Sequence, residues 1–102
     1  MPSSPPELVL FLTSEAIDDI QDILQFTLET WGEKQACHYK EKIDNTFRLI
    51  QNNPKIGRRK DNYFVGCYCF LVEKHIIFYR IKDKSIQIVR LLHSSRDFEG
   101  LF

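Results

Sequence analysis

Residues 75–93, HIIFYRIKDKSIQIVRLLH, constrain the fold more than any other stretch. Two runs rich in Ile, Val, Phe and Tyr flank a short polar joint, Lys82-Asp83-Lys84-Ser85. β-Branched and aromatic side chains suit a pleated, buried surface, so the pattern predicts a β-hairpin. With Asp83 and Lys84 as the loop, Arg80 falls opposite Gln87, Phe78 opposite Val89, and Ile76 opposite Leu91. One face then carries these six residues and His93. The other carries Ile77, Tyr79, Ile81, Ile86, Ile88, Arg90 and Leu92. A slip of one residue would exchange the faces of one strand, and Asp-Lys is not a strong type I′ turn. Both faces are largely apolar and need cover. The interior arginines, Arg80 and Arg90, need partners or a wet site, because an unpaired buried charge is costly.

Upstream, the hydrophobic period changes from two to 3.6. Residues 1–7, rich in Pro and Ser, form an expected disordered lead, and 8–102 a single domain. Leu8 to Leu12 is a short apolar strand. Thr13 offers a helix N-cap, with Glu15, Asp18 and Asp19 in the first turns, where the helix dipole favours acids. Ala16, Ile20, Ile23, Leu24, Thr27 and Trp31 recur at helical spacing and form a core stripe. Gly32 ends this helix. A second, from about Glu33 to Asn52, carries the stripe Ala36, Tyr39, Ile43, Phe47 and Ile50, and stops at Asn53-Pro54. One glycine between two helices implies a tight antiparallel hairpin. A basic loop follows, and Phe64 to Val72 is a further strand.

The expected fold is therefore α+β, in the order β-α-α-β-β-β. A helical hairpin packs on one face of a small, mostly antiparallel sheet. Only the tail, Ser94 to Phe102, remains for the other face, so the chain looks one covering element short. An uncovered apolar face suggests a partner.

The 102 residues carry no net charge, so no global field favours nucleic acid or a membrane. The distribution is uneven. Residues 13–53 hold eight acids and four bases, and residues 54–102 hold five acids and ten bases. No apolar run is long enough for a signal peptide or a membrane span. Three cysteines, an odd number, fit free thiols in a cytoplasmic protein. Cys67 and Cys69 share a strand face, but their spacing is not Cys-x-x-Cys, so no metal is expected. Nor does any phosphate loop or nucleophile elbow imply a cofactor.

Several short motifs fall in a consistent order. Leu12-Thr13-x-x-Ala16-x-x-Asp19-Ile20 opens the first helix, and Trp31-Gly32-x-x-Gln35-Ala36 joins the two. Asn53-Pro54-x-x-Gly57-Arg58 follows the second. Ile77-Phe78-Tyr79-Arg80 and Arg90-Leu91-Leu92-His93-x-x-x-Asp97 close the chain. Together, over residues 8–98, they resemble the ParE/RelE toxin superfamily of bacterial toxin–antitoxin systems, the ParE branch more than the RelE branch. The apolar end, Phe98 to Phe102, and the long lead depart from the pattern.

The resemblance implies a cognate antitoxin, ParD-like or related, that wraps the toxin. It also implies one of two targets. ParE-like members are similar to inhibitors of DNA gyrase, a type II topoisomerase, and are not thought to cut anything. RelE-like members are mRNA endonucleases that act on the ribosome. Metal-free RNA cleavage needs a base, an acid and cations for the phosphorane. Arg58, Arg80 and His93 would have to supply them, yet the expected register puts Arg80 and His93 at different ends of the hairpin. The gyrase alternative is favoured, with an inactive, interaction-only remnant still open. Expected target contacts are Arg58, Arg59, Arg80, Arg90, His93 and Arg96, with Phe98, Leu101 and Phe102 as an apolar anchor. Expected antitoxin contacts on the open sheet face are Ile76, Phe78, Val89 and Leu91. The blander roles are that Arg80 pairs with an acid such as Glu73 or Asp97, and that His93 caps the last strand.

Overall fold

The computed structural model describes residues 8–98 and 100–102, so the seven-residue lead lies outside the described residues. Helix α1, Ser14–Trp31, begins where the capping signal placed it. Thr13 Oγ1 accepts the Ala16 N–H at 3.0 Å and donates to the Val89 carbonyl at 2.7 Å. The Thr13 N–H donates to Ile88 O at 3.0 Å. One residue thus caps the helix and ties its start to the last strand. Gly32, at φ +94°, ends α1 and starts α2, Glu33–Asn52; glycine takes that backbone angle without strain.

The strands are β1 Val9–Leu12, β2 Arg58–Arg59, β3 Tyr68–Val72, β4 His75–Lys82 and β5 Ser85–His93. They form one sheet in the order β1-β5-β4-β3-β2. β1 runs parallel to β5, and every other pairing is antiparallel. The two-residue β2 is an element the apolar pattern did not announce. β3 starts at Tyr68 rather than Phe64, because residues 61–66 are turns held by the Asp61 carboxylate, which accepts the Gly66 N–H at 2.8 Å.

The helical hairpin covers one face of the sheet: α1 lies along β5 and touches β1, and α2 touches β1 and β3. Ala16 and Ile23 of α1 and Tyr39, Ile43 and Ile50 of α2 are buried against Ile77, Tyr79, Ile86 and Ile88. One stripe residue departs from expectation. Ile20, Leu24 and Phe47 are partly buried against the core, but Trp31, expected in it, is 71% exposed. Helical spacing marks an apolar face but not where the layer beneath it ends. Trp31 sits in the last turn of α1, at the tip of the hairpin.

The β4–β5 register matches expectation from Lys82↔Ser85 through Tyr79↔Ile88. A β-bulge then leaves Val89 without a β4 partner. Phe78 pairs with Arg90 and Ile76 with Leu92, one place beyond the expected Val89 and Leu91. The extra residue reverses the facing of the later β5 residues. Leu91 joins the helix-covered core, and Leu92 joins the cluster on the opposite side.

That opposite side is covered in part, which narrows the expectation of a missing element: Val9, Phe11 and Leu71 remain 55%, 57% and 59% exposed. Cys67, Phe78 and Leu92 are buried there beneath Tyr63 and Phe64 of the long loop and Phe98 and Leu101 of the tail. The Phe78 ring meets those of Tyr63, Phe98 and Phe102 at centroid distances of 5.6, 5.1 and 5.0 Å. The loop's path depends on Tyr79. Its hydroxyl donates to Pro54 O at 2.8 Å and accepts the Gly57 N–H at 2.9 Å. A Cβ on Gly57 would lie 2.7 Å from that hydroxyl oxygen and 3.0 Å from the Cys69 carbonyl, which accounts for glycine in the Gly57-Arg58 motif.

Candidate functional site

A groove of about 1100 Å³ runs between the helical hairpin and the end of the sheet where β3, β4 and β5 meet. Phe26 and Trp31 of α1 line it and are 65% and 71% exposed. Tyr39 of α2, His75 of β4 and His93 of β5 line the other side. The rim is charged, with a Lys42–Glu73 ion pair, Asp22 and Lys74. Aromatic residues are the side chains that most often dominate binding at protein interfaces. Phe26 lies off the helical stripe, and Trp31 falls at its end. An unexplained aromatic on a polar helix face was the signal available for finding this site.

Tyr39 and His75 form the buried part of the groove. The Tyr39 hydroxyl lies 3.1 Å from Val72 O and 2.6 Å from His75 Nδ1. The phenol has one proton. Both contacts are satisfied when Tyr39 donates to the carbonyl and His75 Nδ1–H donates to Tyr39. Burial, with the Glu73 charge adding to it, raises the Tyr39 pKa to about 12. Burial, then the neighbouring His93, lowers His75 to about 4, against a small opposing pull from Asp19.

The shift has a consequence for stability. Above about pH 6.5 His75 is neutral in both folded and unfolded chains. Below that, the unfolded chain takes up a proton that the folded one resists, so stability falls as pH drops toward 4. Allowing for partial exposure, the loss should be about 1–2 kcal/mol. Urea unfolding at pH 7 and pH 4.5 measures it. His75→Gln should remove this share of the pH dependence; an unchanged slope would refute the assignment.

The cations expected to meet a target divide into two groups. Arg90 is committed to the fold. It donates to both oxygens of Asp19, at 2.7 and 2.9 Å, and the same carboxylate accepts the Leu91 N–H at 3.0 Å. Arg59 pairs with Asp61 at 2.8 Å and lies over the Tyr68 ring, 5.3 Å from its centroid. Arg58 and Arg96 are exposed. Arg80 is partly buried and donates to Gln87 Oε1 at 2.6 Å, so an amide on the neighbouring strand takes the place expected for an acid. Glu73 pairs with Lys42 instead. His93 caps the last strand: its Nδ1 accepts the Ser95 N–H at 3.1 Å, and its ring packs edge-on to His75.

Arg58, Arg80 and His93 do not converge. Arg80 pairs with Gln87, six residues along β5 from His93, a separation of roughly 20 Å at strand rise. Arg58 lies on β2, with β3 and β4 between it and β5, on the rung through Cys69 and Phe78. Among the described residues, no three metal-binding side chains come together.

The expected antitoxin and anchor residues differ in exposure. Phe78 and Leu91 are 0% and 2% exposed, so neither offers an open surface; Ile76 and Val89 are half-buried. Phe98, Leu101 and Phe102 pack on Tyr63, Phe64 and Phe78 rather than standing free as an anchor.

Comparison with known proteins agrees with this architecture. Residues 10–98 match the family described as ParE toxin of type II toxin-antitoxin system, parDE. The chain is 30% identical to Toxin ParE1 of Caulobacter vibrioides over 84 residues, covering 82% of this chain and 86% of that toxin. It is 29% identical to Toxin ParE1 of Mycobacterium tuberculosis over 89 residues, covering 86% and 91%. Among solved structures, the chromosomal ParDE system from P. aeruginosa superposes with a TM-score of 0.74 at 21% identity, over 85% of this chain and 96% of that one. The YoeB-YefM complex from Staphylococcus aureus gives 0.58 at 17%, over 84% and 95%. The chain belongs to the ParE family and is a toxin of a type II toxin–antitoxin system.

Proposed function

We propose that this toxin acts in the cytoplasm as an inhibitor of a type II topoisomerase, gyrase first, and is not a nuclease. The separation of Arg58, Arg80 and His93 carries this reading. An RNA-cleaving site needs base, acid and clamp within hydrogen-bond reach of one phosphate, and here roughly 20 Å divides two of the three. Binding a protein target needs no such convergence. Arg58 and Arg96, exposed and on the basic half of the chain, are the contacts to the target, with Arg80 and His93 at the margins. Arg58→Glu should weaken inhibition of gyrase supercoiling while changing stability by less than about 0.5 kcal/mol, as exposed substitutions usually do. Ribosome-dependent mRNA cleavage that is lost in His93→Ala, with supercoiling unaffected, would replace this function with the endonuclease.

The cognate antitoxin covers the groove rather than the sheet face. ParDE and YoeB-YefM, the partner systems among the structural neighbours, support an antitoxin for this fold. Two exposed aromatics beside a large cavity support this place on the surface. Trp31→Ala should raise the dissociation constant for the antitoxin about 30-fold, the effect of losing about 2 kcal/mol at an aromatic hot spot. Titration calorimetry measures it. Unchanged affinity in Trp31→Ala and Phe26→Ala would move the antitoxin to another face.

A further inference from the structure

We infer that Cys67 and Cys69 form an oxidisable dithiol, with Cys69 the thiol that meets a peroxide and Cys67 the one that resolves it. Their Sγ atoms lie 3.9 Å apart, and one residue separates them in the chain. Cys69 sits on β3 opposite Phe78, and both cysteines belong to the cluster beneath the tail. Cys67 is fully buried and Cys69 partly exposed, so an oxidant arriving from solvent reaches Cys69 first. Cys37 is exposed on α2, a different element, and serves as an internal control.

The two thiols are unlike in the way such chemistry requires. The hydrogen bond from Cys67 lowers the Cys69 pKa, and the nearby Lys60 charge adds to it against the effect of burial. The same bond and burial raise the Cys67 thiol and hold it protonated. The thiolate is the nucleophile, so reaction begins at Cys69. Its sulfur attacks a peroxide oxygen; an S–O bond forms, the O–O bond breaks, and hydroxide leaves. The Cys67 sulfur then attacks the sulfenic sulfur. An S–S bond forms, the S–O bond breaks, and the hydroxyl leaves as water with the Cys67 proton. The two sulfurs together give two electrons to the peroxide.

Geometry sets the character of the product. Alternate residues of an extended chain have Cα atoms about 6.7 Å apart, at the outer edge of the disulfide range. The link is therefore strained and easily reduced, as labile disulfides are.

The sequence supplies a direct test. Trypsin cuts after Lys60 and Lys74, so one peptide, residues 61–74, holds both cysteines, while Cys37 falls in the peptide 35–40. The intact protein is treated with one equivalent of hydrogen peroxide, alkylated, digested and weighed. The expected result is a 61–74 peptide that has lost two hydrogens and carries no alkyl group, with Cys37 alkylated. Dithiothreitol should reverse the loss, and Cys69→Ser should abolish it. Full alkylation of Cys67 and Cys69 while Cys37 is oxidised would overturn the inference. So would Cys69 recovered as a sulfinic acid, or a disulfide to Cys37. None of these outcomes depends on which target the toxin has.

Discussion

Asp19→Ala should lower folding stability by about 2–3 kcal/mol, the cost of leaving a partly buried, hydrogen-bonded charge without its partner. The Asp19 and Arg90 side chains are 12% and 22% exposed and joined by two hydrogen bonds. Removing the carboxylate strands the guanidinium and takes the acceptor from the Leu91 N–H. A domain of this size is stable by about 5–15 kcal/mol, so the change removes a large share. Urea unfolding measures the loss. A double variant, Asp19→Leu with Arg90→Met, should recover much of it, because removing both charges leaves no orphan. A change within 0.5 kcal/mol for Asp19→Ala, about that of an exposed substitution, would sink the structural role of the pair.

Phe78→Ala should cost about 3–5 kcal/mol, as large-to-small changes do at filled core sites. Phe78 is 0% exposed and ringed by Tyr63, Phe98 and Phe102. Deleting residues 98–102 should destabilise the protein as well, contrary to the expectation of a free tail. The two changes together should cost less than their sum, because they remove the same contacts. Strict additivity in thermal or urea unfolding would show that the tail does not cover Phe78.

Much of the fold was legible from local rules. Thr13 as N-cap, Gly32 as the interhelical turn, and the apolar stripes of α1 and α2 each rest on interactions within a few residues. The hairpin turn was legible for the same reason. Asp83 takes φ +55° there, a left-handed angle that Asp tolerates better than most residues. The order of elements and the family followed from these signals and from motifs whose reasons are now visible. Thr13 and Asp19 each bind β5, and Gly57 passes against Tyr79.

Features that depend on distant pairs were not legible. The bulge at Val89 is one extra residue, held where Thr13, 76 positions earlier, binds its carbonyl. No periodicity records that contact, and it reversed the facing of Leu91 and Leu92. The partner of Arg90, 71 positions away, and the cover over Phe78 likewise come from segments far away in sequence or irregular in structure. The candidate site moved for this reason. An apolar strand must be buried, which residue spacing states clearly. Whether a second layer, a tail or a partner buries it is decided by which segments the folded chain brings to it. Here the tail takes the sheet, and Phe26 and Trp31 are left exposed at the groove.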